Sequence, residues 1–390
     1  MTTALTGRST LGDWLEDPTG GPLIRELLTR LGQDASQLGP ARVFSLNRLV
    51  ELSEGKISQP MVDGLVRAVN GGRLVTGDEP LTAAAPEPVR QGLTLDRIQI
   101  RDPFVLHDRA TSTFHLYGST DPNIWDGPGI GFDTYRSTDL LHWEGPFAAF
   151  RPPAGFWSEG SFWAPEVHAY RDRWYMFATF TAPDGYRGTQ ILVGDTPRGP
   201  FGPWSDGAVT PRKWQCLDGT LHIDEAGAPW IVYCHEWTQI HDGAVLAQRL
   251  SEDLRHTTGT PVLLFNASDA PWSKPLSGVS ATFPAHVTDG PFLLRLSSGH
   301  LVMLWSSFGD QGYAMGVAHS VSGRITGPWT QEEQALWPAD GGHGMIFRLA
   351  DGGLALTLHQ PNNTPDERAV VRRLVEHETT ITIEDDPTSW

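Results

Sequence analysis

The sequence predicts an all-β fold, a five-bladed β-propeller with a small α-helical domain at its N-terminus, and three observations lead there. One pattern recurs five times, beginning at RDPFVLHD (Arg101), WAPEVHAY (Trp163), LDGTLHID (Leu217), TDGPFLLR (Thr288) and GHGMIFRL (Gly342). The copies are spaced by roughly 50 to 70 residues, the scale of one propeller blade. Each copy is followed by a turn and an aromatic or aliphatic return strand: FHLYGST, WYMFATF, WIVYCHEW, LVMLWSS and LALTLHQ. The chain, at 390 residues, is also too long for one ordinary core, and its first stretch follows a different period from the rest.

Taken in order, residues 1–70 read as a small helical domain. Leu23, Leu27, Leu28 and Leu31 recur at helical spacing, and Met61, Val62, Leu65 and Val66 do so again after Ser58, which is placed as an N-cap. Residues 71–94 read as a linker, because GGRLVTGDEPLTAAAPEPVRQG is rich in Gly, Ala and Pro and lacks periodicity. Residues 95–390 read as the propeller. Most blades carry a third strand and a closing turn, as in FDTYRSTDLLHWEGP, GTQILVGDTPRGPF, AVLAQRLSEDLRH and YAMGVAHSVSGRITGPW, so each is a four-stranded meander in outline. A β-sandwich also yields many short strands. It need not place chemically similar residues at the head of every repeat, whereas a propeller brings each blade's first strand to one axis.

Composition narrows the function. Against 29 Lys and Arg stand 46 Asp and Glu, a formal charge of -17, which repels nucleic-acid phosphates and anionic membrane surfaces alike. Fifteen Trp and 42 Gly, with charged residues at 19%, suit a turn-rich β protein offering aromatic platforms to a neutral ligand such as a sugar, although packing accounts for most single Trp. The N-terminal MTTALTGRSTLGDWLEDP has no apolar run of signal-peptide type, and no stretch reaches the length of a membrane span, so a cytoplasmic protein is expected. Cys216 and Cys234 are too few for a disulfide framework and lack zinc-site spacing; free thiols are expected.

Aligning the five repeat heads places Asp102, Ala164, Asp218, Asp289 and His343 at one position. An isolated Asp beside Gly or Pro is usually a turn residue. Three at one repeat position, gathered on one rim, raise one another's pKa, so that one carboxylic acid stays protonated beside another that is ionised. Glycoside hydrolysis needs that division: an acid for the leaving oxygen and a base or nucleophile across the sugar.

Over about 95 to 390 the chain resembles glycoside hydrolase family 43, on the ordered set RDPFV, FWAPEV, LDGTLHIDEAGAPWIVY, DGPF and GGHGMIFR. The resemblance implies an inverting hydrolase in which Asp102 is the general base and Asp218 tunes and orients the acid. The family's acid is a Glu in Glu-Gly-Pro, and here the matching string is Asp289-Gly290-Pro291. That side chain is shorter by about 1.5 Å, and misplacement on the order of 1 Å can cost about a hundredfold in rate. Three readings stay open: Asp289 is the acid, the favoured one; Glu166 or Glu236 supplies the proton; or the protein binds sugars without cleaving them.

Four further residues are substrate-binding candidates. Glu166 lies two residues beyond Ala164, on the same side by strand alternation, and is equally well read as a structural carboxylate. Glu236 ends a return strand in CHEW, Trp163 could wall a sugar site or simply pack, and Arg348 on the fifth blade's first strand could reach a hydroxyl or form a structural salt bridge. By the resemblance, His343 contributes to a hydrated calcium on the axis; by its residue type alone it is a hydrogen-bonded channel His, since calcium prefers oxygen. No organic cofactor is implied.

The activity these features suggest is an exo-acting, inverting α-L-arabinofuranosidase acting on oligosaccharides or polysaccharide side chains. A β-xylosidase or galactofuranosidase on the same scaffold is the alternative, and a non-catalytic carbohydrate-binding propeller the alternative of another class. A retaining fructosidase-like propeller is disfavoured, because its Arg-Asp-Pro motif belongs to a later blade. The helical domain shows no chemistry of its own and is a candidate for covering a propeller face or for homo-oligomer formation.

Overall fold

The structure is a computed structural model describing residues 4–33, 41–42, 44–53, 55–75, 88–121, 124–125, 129–276 and 284–384. It divides into two compact units, one of residues 1–84, 125–128 and 275–285, the other of 85–124, 129–274 and 286–390.

The first unit is helical: α1 (Leu11–Glu16), α2 (Gly20–Arg30), α3 (Leu46–Leu52) and α4 (Gln59–Val69). Thr10 caps α1 through a reciprocal pair with Asp13, satisfying amide donors that the first turn leaves open. Ser58 does occupy the N-cap of α4, but its side chain makes no capping bond. Of the apolar positions read from the sequence, Leu28, Val62 and Val66 are buried in the core around Trp14, Leu27 and Leu65 pack against it partly buried, and Leu23, Leu31 and the exposed Met61 stand outside it; Ile24 takes the place beside Leu28.

The second unit is a five-bladed propeller. Blade one holds β1 (Arg90–Leu93), β2 (Arg101–Asp108), β3 (Thr113–Ser119), β4 (Phe132–Ser137) and β5 (Trp143–Phe150). Blade two holds β6 (Gly160–Tyr170), β7 (Arg173–Thr181), β8 (Arg187–Gly194) and β9 (Gly202–Ala208). Blade three follows with β10 (Cys216–Ile223), β11 (Pro229–His235), β12 (Ala244–Leu250) and β13 (Thr257–Asn266). Blade four is β14 (Asp289–Arg295), β15 (Leu301–Gly309), β16 (Gly312–Ser320) and β17 (Trp329–Gln331). Blade five is β18 (Gly342–Arg348), β19 (Leu354–Gln360), β20 (Arg368–Glu376) and β21 (Ile381–Ile383). All pairings within the blades are antiparallel, and the four-strand meanders are those expected, with one addition. The span read as a linker contains β1, which pairs with β5 as an outer fifth strand of blade one; residues 76–87 of that span lie outside the described residues.

Blades pack face to face through shared apolar layers, because a strand buried on both sides needs apolar residues at every position. Tyr175, Phe177 and Ile191 of blade two pack with Ile231, Tyr233 and Leu246 of blade three. Met303 and Trp305 of blade four meet Val232 and Val245, and Val302 and Leu304 meet Ile346 and Leu356 of blade five. Blade five closes on blade one through Phe347 and Ala355 against Val105 and Leu116, and the Ile100 amide donates to the Glu367 carbonyl across the closure. Among the described residues no helix is long and apolar enough to cross a membrane.

Candidate active site

Each blade's first strand enters the axis through the same irregularity. Its pairing with the second strand slips after Arg101, Trp163, Leu217, Asp289 and Gly342, resuming at Phe104, Glu166, Thr220, Phe292 and Met345. In every slip one residue adopts left-handed backbone: Asp102 at φ 53°, Ala164 at 47°, Asp218 at 56°, Gly290 at 52° and His343 at 48°. Such a bulge re-aims the chain and disrupts the ladder locally, which turns these side chains toward the axis. For the four that are not glycine the conformation costs roughly 1 kcal/mol each, so the surroundings must hold it.

They do so with a ring of struts. The freed amide of Ala164 donates to Ser119 Oγ (2.9 Å), that of Asp218 to Thr179 Oγ1 (2.8 Å), that of His343 to Ser306 Oγ (2.8 Å) and that of Asp102 to His359 Nδ1 (3.2 Å). Each acceptor lies near the end of the second strand of the preceding blade, and His359 of blade five serves blade one. Gly290 differs: its amide donates to Asp218 Oδ2 at 3.0 Å.

This register corrects one sequence alignment. Gly290, not Asp289, is equivalent to Asp102, Asp218 and His343; Asp289 stands one position earlier, level with Arg101 and Trp163. The glycine is required sterically, since a Cβ there would lie 2.7 Å from His343 Cδ2. Asp289 nevertheless joins the cluster, with Oδ2 accepting from the Tyr313 hydroxyl at 2.9 Å and with its charge raising the pKa of Asp218.

His343 lies at the centre, with Nδ1 3.2 Å from Asp102 Oδ1 and 3.7 Å from Asp218 Oδ2. Burial pushes its pKa down, but the charges of Asp102, Asp218 and Asp289 outweigh this and hold it above the ordinary value. The carboxylates are driven apart. Burial raises Asp102, yet the His343 and Arg101 cations, with the Ser119 hydroxyl donating to Oδ2 at 2.7 Å, bring it below its ordinary value. Asp218 and Asp289 stay above theirs, chiefly through burial and through carboxylate neighbours, despite the opposing His343. His359, pushed down to about 3 by burial and by Arg101, is neutral; its Nδ1 accepts the Asp102 amide and Nε2 donates to Asn362. The site thus holds one carboxylate that stays ionised and a pair that retains a proton toward neutral pH.

The other candidates fall in different places. Glu236 is buried and paired with Arg187 at 2.5 Å, and the Arg187 guanidinium lies 4.3 Å over the Trp163 ring, so Trp163, Arg187 and Glu236 form one wall in blades two and three. For Glu166 the alternation argument does not apply, because the bulge after Trp163 interrupts it; its Oε2 meets His168 Nε2 at 2.9 Å, and its charge still reaches His343. Arg348 is a correction. It ends β18, five residues and therefore roughly 17 Å along the strand from His343, exposed, with Nη1 near the Gly352 carbonyl. His343 Nδ1 is engaged by Asp102, and among the described residues no group of three or more His, Cys, Asp or Glu is placed to hold a metal ion.

Arg101, Tyr313, Arg187 and His359 were not singled out as site residues. Arg101 bridges Asp102 (3.6 Å) and Glu367 (3.3 Å), and Tyr313 stacks on His359. Arg101 stood in view at the head of RDPFV, and His359 left a signal near the end of the return strand LALTLHQ.

Comparison with known proteins agrees with this architecture. No curated protein matches the chain. Among solved structures, an endo-arabinase from Bacteroides thetaiotaomicron is 41% identical, with a TM-score of 0.69 and coverage of 75% of this chain and 99% of its own. A thermostable family-43 glycoside hydrolase is 23% identical (TM-score 0.63; 78% and 96% covered), and an α-L-arabinofuranosidase from Lactobacillus brevis 18% identical (0.58; 74% and 94%); these two share the fold. The sequence model of Glycosyl hydrolases family 43 matches residues 96–382, a span that includes the first strand of every blade and carries every residue of the axial cluster. This protein is therefore a glycoside hydrolase, and it belongs to Glycosyl hydrolases family 43.

Proposed function

We propose that this hydrolase cleaves α-L-arabinofuranosyl linkages with inversion, using Asp102 as base, Asp289 as acid and Asp218 to position the acid. The observation that carries the roles is the split between an ionised Asp102 and a proton-holding Asp218 and Asp289 around one imidazolium. Asp102 takes a proton from a water whose oxygen attacks the anomeric carbon. Asp289 gives its proton to the departing glycosidic oxygen as the C–O bond breaks, and the product carries the opposite anomeric configuration. Tyr313 binds one oxygen of Asp289 and leaves the other to the substrate. Glu236, saturated by Arg187, is the weaker proton source.

The arabinofuranosyl assignment is supported by the 41% identical endo-arabinase. That relative also favours a second mode, internal cleavage of an arabinan backbone, beside the exo action expected from the sequence. Assays on an aryl α-L-arabinofuranoside and on linear 1,5-α-L-arabinan, with proton NMR of the first product, separate them. Release of the aryl group supports exo action, a ladder of oligomers supports endo action, and failure on both with turnover of a xyloside overturns the assignment.

The pH profile follows from the same charges. Asp102 lies below the ordinary 3.8, so the base is ready throughout the neutral and mildly acidic range. The pair is pushed up, Asp289 to about 6 and Asp218 to about 7, so the proton needed by the leaving group is lost across that interval. kcat/KM measured from pH 4 to 9 should be high on the acid side and decline between about 6 and about 7.

A further inference from the structure

The strut ring has one exception, and its cause is visible in the second strands. The residues paired with the last regular position before each bulge are Ser119 opposite Arg101, Thr179 opposite Trp163, Ser306 opposite Asp289 and His359 opposite Gly342. All four accept an amide from the next blade. The equivalent in blade three, opposite Leu217, is Cys234. It is fully buried, burial keeps its thiol protonated, and sulfur is a weak acceptor with longer contacts than a hydroxyl. The amide it would serve is that of Gly290, the one that turns to Asp218.

We infer that Cys234 is a positioning residue: by withholding the strong acceptor that the other blades supply, it leaves the Gly290 N–H to the Asp218 carboxylate and so fixes that side chain's orientation beside Asp289. Asp218 Oδ2 then lies between the Gly290 amide and His343, and Asp218 acts on the acid from a defined direction. The inference rests on the role proposed for Asp218. It makes an unusual demand: serine, the closest isostere of cysteine, is the damaging replacement, and alanine, which accepts nothing, the milder one.

The test compares Cys234→Ser, Cys234→Thr and Cys234→Ala by crystal structure, thermal melting and steady-state kinetics on the substrate that the wild type turns over. In the Ser and Thr variants the Gly290 amide should move to the new hydroxyl, and kcat should fall at least tenfold further than in Cys234→Ala, with KM nearly equal across the three. A lone packing role would instead make alanine worst, because it leaves the largest void. The proposal is overturned if the Gly290 amide stays on Asp218 in both hydroxyl variants, or if kcat falls as far in the alanine variant. The crystallographic arm needs no turnover, so a wrong substrate assignment cannot be mistaken for failure of this inference.

Discussion

Asp102→Asn should lower kcat by about a thousandfold or more while leaving oligosaccharide binding within a few-fold, because general-base catalysis typically contributes about 10² to 10⁴ in rate. Asparagine is the informative replacement. It has the same shape, and Asn tolerates the left-handed backbone that residue 102 adopts at φ 53°, so the bulge survives. Its carbonyl can still accept from the Ser119 hydroxyl, and the strut from the residue 102 amide to His359 is untouched. What disappears is the ability to take a proton from water. Calorimetric titration with arabino-oligosaccharide, beside reducing-sugar release, checks the two halves. A loss under tenfold would show that another group is the base.

Asp289→Asn should separate substrates by their leaving groups. A sugar alkoxide needs a proton as it departs, so turnover of arabino-oligosaccharides should fall by about 10² to 10⁴. A dinitrophenolate departs unassisted, so the activated aryl arabinofuranoside should lose less than about tenfold. Loss of equal size on both would mean that Asp289 acts otherwise than as the acid, and Asp289→Glu then becomes the useful companion, since it restores the longer side chain of the family motif. Its carboxylate must still be reached by the Tyr313 hydroxyl, now 2.9 Å away.

These two residues also mark how far the sequence could be read. Five repeat heads announced five blades because each blade solves the same problem, presenting a short buried strand to an axis. Asp102 and Asp218 were legible since each sits at the bulge itself. Asp289 was drawn one place out of register, because carboxylates were matched to carboxylates; the position that matters is backbone conformation, and there the fourth blade uses glycine to clear His343. Arg348 shared a strand with His343 and looked near it, but an extended chain carries six positions from one end of a blade to the other. Arg187 and Tyr313 were hidden for a different reason. Arg187 and Tyr313 come from second-hairpin strands that carry no motif, and their meaning exists only once the blades are set around the axis. The Ser, Thr, Cys, Ser and His near the ends of the return strands were in plain view, yet only the inter-blade amide contacts give that column a purpose.

The strut from the Asp102 amide to His359 spans 257 positions of the chain. At a ribosomal pace of about 5 to 20 residues per second, the first blade waits on the order of tens of seconds for the residue that props its catalytic carboxylate. Nascent chains that stop before blade five can therefore pair most of their strands and still lack a competent base. The last portion of the propeller to emerge thus brings both this prop and His343, the imidazole beside Asp102.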